Sequence, residues 1–149
     1  MDGWVRSLRR SKVVRPFDRP LGVVHERERR PAGTVVDATT VFLAGAECPF
    51  SCVFCDLWTH TLTERTPPGA LPRQLAGALD TIGQRSLIKL YNASNFFDPT
   101  AVPPADEAAL EVGLQLAGTD DVTVVCVGPA EADTVLRDAL AAGAHHAVR

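Results

Sequence analysis

An α/β fold built on a short, mostly parallel sheet is what this 149-residue chain predicts. Apolar, β-branched runs alternate with segments of helical period in the order strand, helix, strand, helix, strand, helix. That order argues for parallel strands joined by right-handed crossovers. Gly83, Gly118 and Gly143 stand where each helical period ends, as helix stops do. The composition, 46% hydrophobic and 22% charged, is that of a globular domain and excludes disorder throughout. The length fits one packed unit with three or four strands.

Residues 1–33 carry Pro16, Pro20 and Pro31 among charges and hold no sustained period, so they read as a basic, irregular or partly extended arm. From Thr34 to Gly45 the β-branched density rises, and Val41-Phe42-Leu43-Ala44 predicts a buried strand that ends at Gly45. Residues 46–70 form a long loop with three cysteines, Trp58 and a Pro67-Pro68-Gly69 break, and long loops in compact domains are usually functional. A helix over about 71–82 follows from Leu71, Leu75, Leu79 and Ile82, with Pro72 in its first turn. Ser86 to Tyr91 is the second strand, and Asn92 to Pro104 a loop. A second helix begins near Asp106, with Leu110, Leu114 and Ala117 on one face. Val122 to Val127 is the third strand, with Cys126 as a small core residue. A third helix follows from about Pro129, its first turns carrying Glu131 and Asp133 at the positive end of the helix dipole.

The formal net charge of −3 is unevenly spread: residues 1–30 hold nine basic side chains against four acids, and the remainder is acidic. A basic arm before an acidic body fits either nucleic-acid contact or an extension that packs on its own body. No apolar run approaches the roughly 18 residues of a membrane helix, and no apolar leader follows the N-terminus. Four cysteines without an export signal do not suggest a disulfide framework, and the expected location is the cytoplasm. The flank of a short sheet is an exposed edge, for which a homo-oligomer is one remedy.

Cys48, Cys52 and Cys55 have the spacing C-x3-C-x2-C. Thiolates are soft ligands, and three on one tight loop are able to converge on a single metal centre. A [4Fe–4S] cluster usually takes four thiolates, so three would leave one iron open. Alternatively, Cys48, Cys52, Cys55 and His60 make a Cys3His set for a structural zinc. Asp56 is a candidate turn cap and Trp58 a packing residue.

With Phe54 just before the third cysteine, this loop resembles the signature of the radical S-adenosylmethionine (SAM) enzymes. The resemblance covers residues about 13–104. It extends through Cys55-Asp56-Leu57-Trp58, Pro67-Pro68-Gly69-Ala70 and Lys89-Leu90-Tyr91-Asn92-Ala93-Ser94. It implies a cluster-binding portion over 34–104 in which Cys48, Cys52 and Cys55 hold a [4Fe–4S] cluster, Phe54 lies near the adenine of SAM, and a 5′-deoxyadenosyl radical attacks an unknown substrate. It further implies an incomplete (β/α) barrel as the fold of this portion, and a reductant such as a flavodoxin or ferredoxin. The family's Gly-Gly-Glu motif is replaced here, leaving Asn92 and Ser94 as the polar candidates to receive the amino group of SAM. No general acid, base or nucleophile is assigned.

Residues about 105–149 resemble a different family, the electron-transfer flavoproteins, towards their β subunit. The matching stretches are Asp106-Glu107-Ala108-Ala109-Leu110-Glu111, Val122-Thr123-Val124-Val125 into Gly128-Pro129, and Ala139-Leu140-Ala141 with Gly143-Ala144. Ala142 and His145 depart from that family's usual methionine and acid. The resemblance implies a Rossmann-like segment that serves FAD or AMP binding and runs into a further strand at its C-terminal end. Two partial resemblances meeting near Pro103 to Asp106 suggest a composite or truncated chain, in which enzymatic turnover is uncertain.

Overall fold

The computed structural model describes residues 2–30, 32–82, 87–94, 98–106, 123–125, 137, 140 and 145–148. The chain divides into two compact units, Met1–Asp106 and Glu107–Arg149.

In the first unit, helix α1 (Asp2–Ser7) precedes strands β1 (Gly22–Arg29) and β2 (Val35–Leu43), helix α2 (Ala70–Ile82) and strand β3 (Leu87–Asn92). The three strands form one sheet in the order β1-β2-β3. β1 runs antiparallel to β2, from Gly22 opposite Phe42 to Arg29 opposite Val35. β2 and β3 are parallel, from Ala38 beside Leu87 to Leu43 beside Asn92. The sheet is therefore mixed rather than mostly parallel.

The arm over residues 1–33 is irregular only in part: it supplies both α1 and the edge strand β1, and residues 8–21 between them form neither helix nor strand. β1 escapes an apolar-period reading because Glu26, Arg27, Glu28 and Arg29 alternate charge with charge. Such charges suit an edge strand, where they oppose pairing with another chain. On one face, Lys89 of β3 reaches across β2 to Glu26 at 2.6 Å and to Glu28. Thr40 donates to Glu26 at 2.7 Å, and the Phe42 and Tyr91 rings meet 5.7 Å apart on that same face.

The opposite face carries the core. Val41 and Leu43 of β2 pack with Leu71 and Ala78 of α2 and with Val102, all essentially inaccessible. Each such aliphatic side chain contributes about 1.5–3 kcal/mol by leaving water. The buried positions of α2 are Ala70, Leu71, Gln74, Leu75, Ala78 and Ile82, spaced at three and four residues as one helical face requires. Leu79, expected inside, lies beside that face and is only partly covered, while Ala78 takes the inner position.

The second unit shows strands β4 (Thr123–Val125) and β5 (His146–Val148) paired in parallel, Thr123 beside His146 and Val125 beside Val148. Arg137 and Leu140 between them are helical. The expected second helix, most of the third and Cys126 lie outside the described residues. No barrel closure or complete Rossmann layer is formed by the described strands.

Candidate functional site

Where β2 ends, Gln74 of α2 organises the exit. Its Oε1 accepts the Ala44 N–H at 2.8 Å, and its Nε2 donates to the carbonyls of Ala44 at 3.0 Å and Phe17 at 2.8 Å. Gly45 follows, where a Cβ would make a tight 3.1 Å contact with the Ala101 carbonyl oxygen. Ala46 then forms a parallel bridge with Leu62, closing the neck of the cysteine loop. The Thr66 hydroxyl braces this neck, accepting the Ala46 N–H at 2.8 Å and donating to the Ala101 carbonyl at 2.6 Å.

The N-terminal arm clamps the loop. Lys12 donates to Glu47 at 2.8 Å, to the Thr61 hydroxyl at 2.7 Å and to the Leu62 carbonyl at 2.9 Å, so all three ammonium protons are used. Arg9 also pairs with Glu47 and lies 4.8 Å from the Trp58 ring centroid, a cation–π stack. Trp58, half-buried, packs against this guanidinium and also lines the adjoining cavity. Arg6 donates to the Ser51 hydroxyl at 3.0 Å, and Arg15 to the Thr59 carbonyl at 3.2 Å. Burial alone would raise the Glu47 carboxyl, but the hydrogen bonds from Lys12 and Arg9 outweigh it and hold the group below its usual range. The basic residues of the arm therefore spend several of their charges on the protein's own loop.

Arm and loop border an open cavity of about 440 Å³ lined by Arg9, Arg10, Lys12, Arg15, Cys52 and Cys55 among others. Cys52 and Cys55 are the ends of one turn, in which the Cys55 N–H reaches the Cys52 carbonyl at 3.3 Å. Cys52 is exposed, and Cys48 and Cys55 are half-buried. Phe54, at 92% exposure, stands out from the loop. Asp56 precedes the short 3-10 helix Leu57–His60 and makes no side-chain cap, contrary to its expected role; its carbonyl only accepts the first backbone bond of that helix, from the Thr59 N–H at 3.0 Å. Asn92 and Ser94 lie at the carboxyl end of β3. There Asn92 Oδ1 accepts the Ser94 N–H at 2.9 Å, while Asn92 Nδ2 and Ser94 Oγ are buried without a partner among the described residues.

Among the described residues, no group of three or more His, Cys, Asp or Glu side chains is arranged to hold a metal ion. His60, needed for the zinc alternative, has its Nδ1 turned to the Arg15 guanidinium at 3.3 Å. Sequence spacing brought the cysteines onto one loop, but spacing does not make their side chains converge.

The comparisons with known proteins point elsewhere in the chain. Residues 98–149 match the electron transfer flavoprotein domain. Protein FixA of Rhizobium meliloti (strain 1021) is 52% identical to this chain over 52 residues, which cover 34% of the chain and 18% of that protein. The chain thus spans less than a fifth of that curated relative. No solved structure matches it. These findings correct the main expectation from the sequence. The likeness that is found is to an electron transfer flavoprotein, so the radical SAM reading, with its iron–sulfur cluster and S-adenosylmethionine, gives way to the flavoprotein alternative. The matched domain, residues 98–149, does not include Cys48, Cys52, Cys55, Phe54, Asn92 or Ser94, so it does not test the individual roles expected of those residues. No helix among the described residues is long and apolar enough to cross a membrane.

Proposed function

We propose that the chain serves electron transfer, with residues 98–149 contributing part of a flavin- or adenine-nucleotide-binding unit. The observations that carry this reading are the match of residues 98–149 to the electron transfer flavoprotein domain and the 52-residue stretch shared at 52% identity with FixA. The parallel pair β4 and β5 supports it. Parallel strands need a crossover of a dozen or more residues, and residues 126–145 supply one that is helical at Arg137 and Leu140. In such sheets ligands bind beyond the carboxyl ends of the strands, and the sequence places Gly128 and Pro129 just after β4. The electron-transfer flavoproteins that this segment resembles carry FAD or AMP, and a bound flavin would supply reversible one- and two-electron chemistry. The partners on this reading are redox proteins, a dehydrogenase on one side and an electron acceptor on the other.

The test is the content of the purified full-length chain after denaturation, read by visible absorbance and mass spectrometry, followed by titration with FAD, FMN and AMP. Retained or saturably bound FAD or AMP, with FMN weaker, is the expected result. A chain that releases neither and binds neither on titration overturns the proposal.

A further inference from the structure

The cysteine loop is left without a role by the electron-transfer reading, yet its geometry is specific. Cys52 and Cys55 close one turn through the 3.3 Å backbone hydrogen bond, and both line the arm–loop cavity. The ends of such a turn lie within about 7 Å at Cα, and a disulfide spans about 4.4–6.8 Å. The Cα separation of the pair is therefore within the reach of a disulfide. Cys48 lies outside the cavity lining.

The cavity is also cationic. Arg9, Arg10, Lys12 and Arg15 face it, and Glu47 offsets only part of that charge. Arg10 makes no hydrogen bond or ion pair among the described residues and is exposed, so its charge remains available to a ligand. A pocket of this kind concentrates anions.

We propose that Cys52 and Cys55 form a redox-active dithiol that exchanges with small anionic disulfides admitted to this cavity. The exposed Cys52, as thiolate, attacks one sulfur of the disulfide. The S–S bond of the small molecule breaks, one of its thiolates leaves, and a mixed disulfide forms on Cys52. Cys55 then attacks the Cys52 sulfur, the second small thiolate leaves, and the Cys52–Cys55 bond closes. The protein gives up two electrons and two protons, and the small disulfide takes up both as two thiols. The site lies in the first unit and requires nothing of residues 107–149.

The experiment treats the fully reduced, full-length protein with oxidised glutathione, which is anionic, and in parallel with cystamine, which is cationic. Remaining thiols are alkylated, and the peptides containing Cys48, Cys52, Cys55 and Cys126 are mapped by mass spectrometry. Wild type and Cys48→Ala should both lose two hydrogens at a Cys52–Cys55 link. Cys55→Ser should stop as a stable glutathione adduct on Cys52. Glutathione should react roughly tenfold faster than cystamine at low salt, the order of effect that a charged cleft produces. Arg10→Glu should shrink that ratio while the far-ultraviolet circular dichroism stays unchanged. All loop thiols remaining alkylatable, a link mapping to another pair, or equal rates for the two disulfides would each overturn the proposal. Flavin content is a separate readout, so a failure here leaves the electron-transfer reading standing.

Discussion

The Asp106 carboxylate caps the helix that carries Gly69 at its threshold: Asp106 Oδ1 accepts the Gly69 N–H at 2.6 Å, and Oδ2 accepts the Leu71 N–H at 3.1 Å. Gly69 has φ +78°, a left-handed turn that favours glycine, and α2 starts one residue later. A helix N-terminus has unpaired N–H groups and a partial positive charge, and a carboxylate satisfies both. Here that carboxylate comes from well downstream, is fully buried, and belongs to the stretch that matches the flavoprotein domain. The matched stretch therefore begins inside the first unit: Ala101, Val102 and Asp106 are part of that unit's interior.

Replacing Asp106 should loosen α2 and the core beneath it. Asp106→Asn keeps one acceptor and should cost about 1–2 kcal/mol, and Asp106→Ala should cost more. Urea unfolding followed by tryptophan fluorescence measures this in the first unit, because Trp4 and Trp58 are the chain's two tryptophans. Equal stability of Asp106→Ala and wild type would show that the cap contributes nothing.

Gln74 is the buried polar hub of the β2 exit, and Gln74→Leu removes three hydrogen bonds at nearly constant volume. The Ala44 N–H and two carbonyls would lose their partner, at about 1–3 kcal/mol for each group left buried and unpaired. The two Ala44 groups are the buried ones, so the expected outcome is a loss of about 2–6 kcal/mol in the same unfolding assay. A neutral substitution would mean that water replaces the amide.

The arm should come off the cysteine loop in acid. The carboxyl of Glu47 titrates lower in the folded protein than in the unfolded chain, so its contribution is present above the unfolded value and is lost as pH falls through the folded one. Limited proteolysis within residues 6–15 should therefore accelerate in mild acid, below the ordinary carboxylate value, and Lys12→Met should give that fast cleavage already at neutral pH. Cleavage that does not depend on pH in the wild type would sink this account.

Lys89 sets the titration of the outer sheet face. Its hydrogen bonds to Glu26 and Glu28 raise its own ammonium above the usual lysine range and, with Thr40, lower the Glu26 carboxyl. In Lys89→Met two carboxylates of β1 remain without their shared cation. Nuclear magnetic resonance titration should then find Glu26 moved up towards its ordinary value. A Glu26 curve unchanged by Lys89→Met would place the cause elsewhere.

The sequence by itself determined those elements whose signal is local. β-branched density marked β2, the three- and four-residue apolar spacing marked α2 to within a residue of its start, and short apolar runs marked β3 and β4. The pattern over residues 106–144 was enough to reveal the flavoprotein likeness, because a strand–glycine–helix unit is a contiguous arrangement. β1 was hidden because its strand character comes from pairing with β2 rather than from an apolar period of its own. The burial of Gln74 and Asp106 was likewise decided only by tertiary structure, since each is an ordinary polar residue until backbone groups far away in the chain stand opposite it. The cysteine loop illustrates the same limit. Spacing along the chain placed three thiols within one loop, but whether side chains converge on a metal or close a turn beside a cationic cavity depends on the three-dimensional path of the backbone and the arm folded against it.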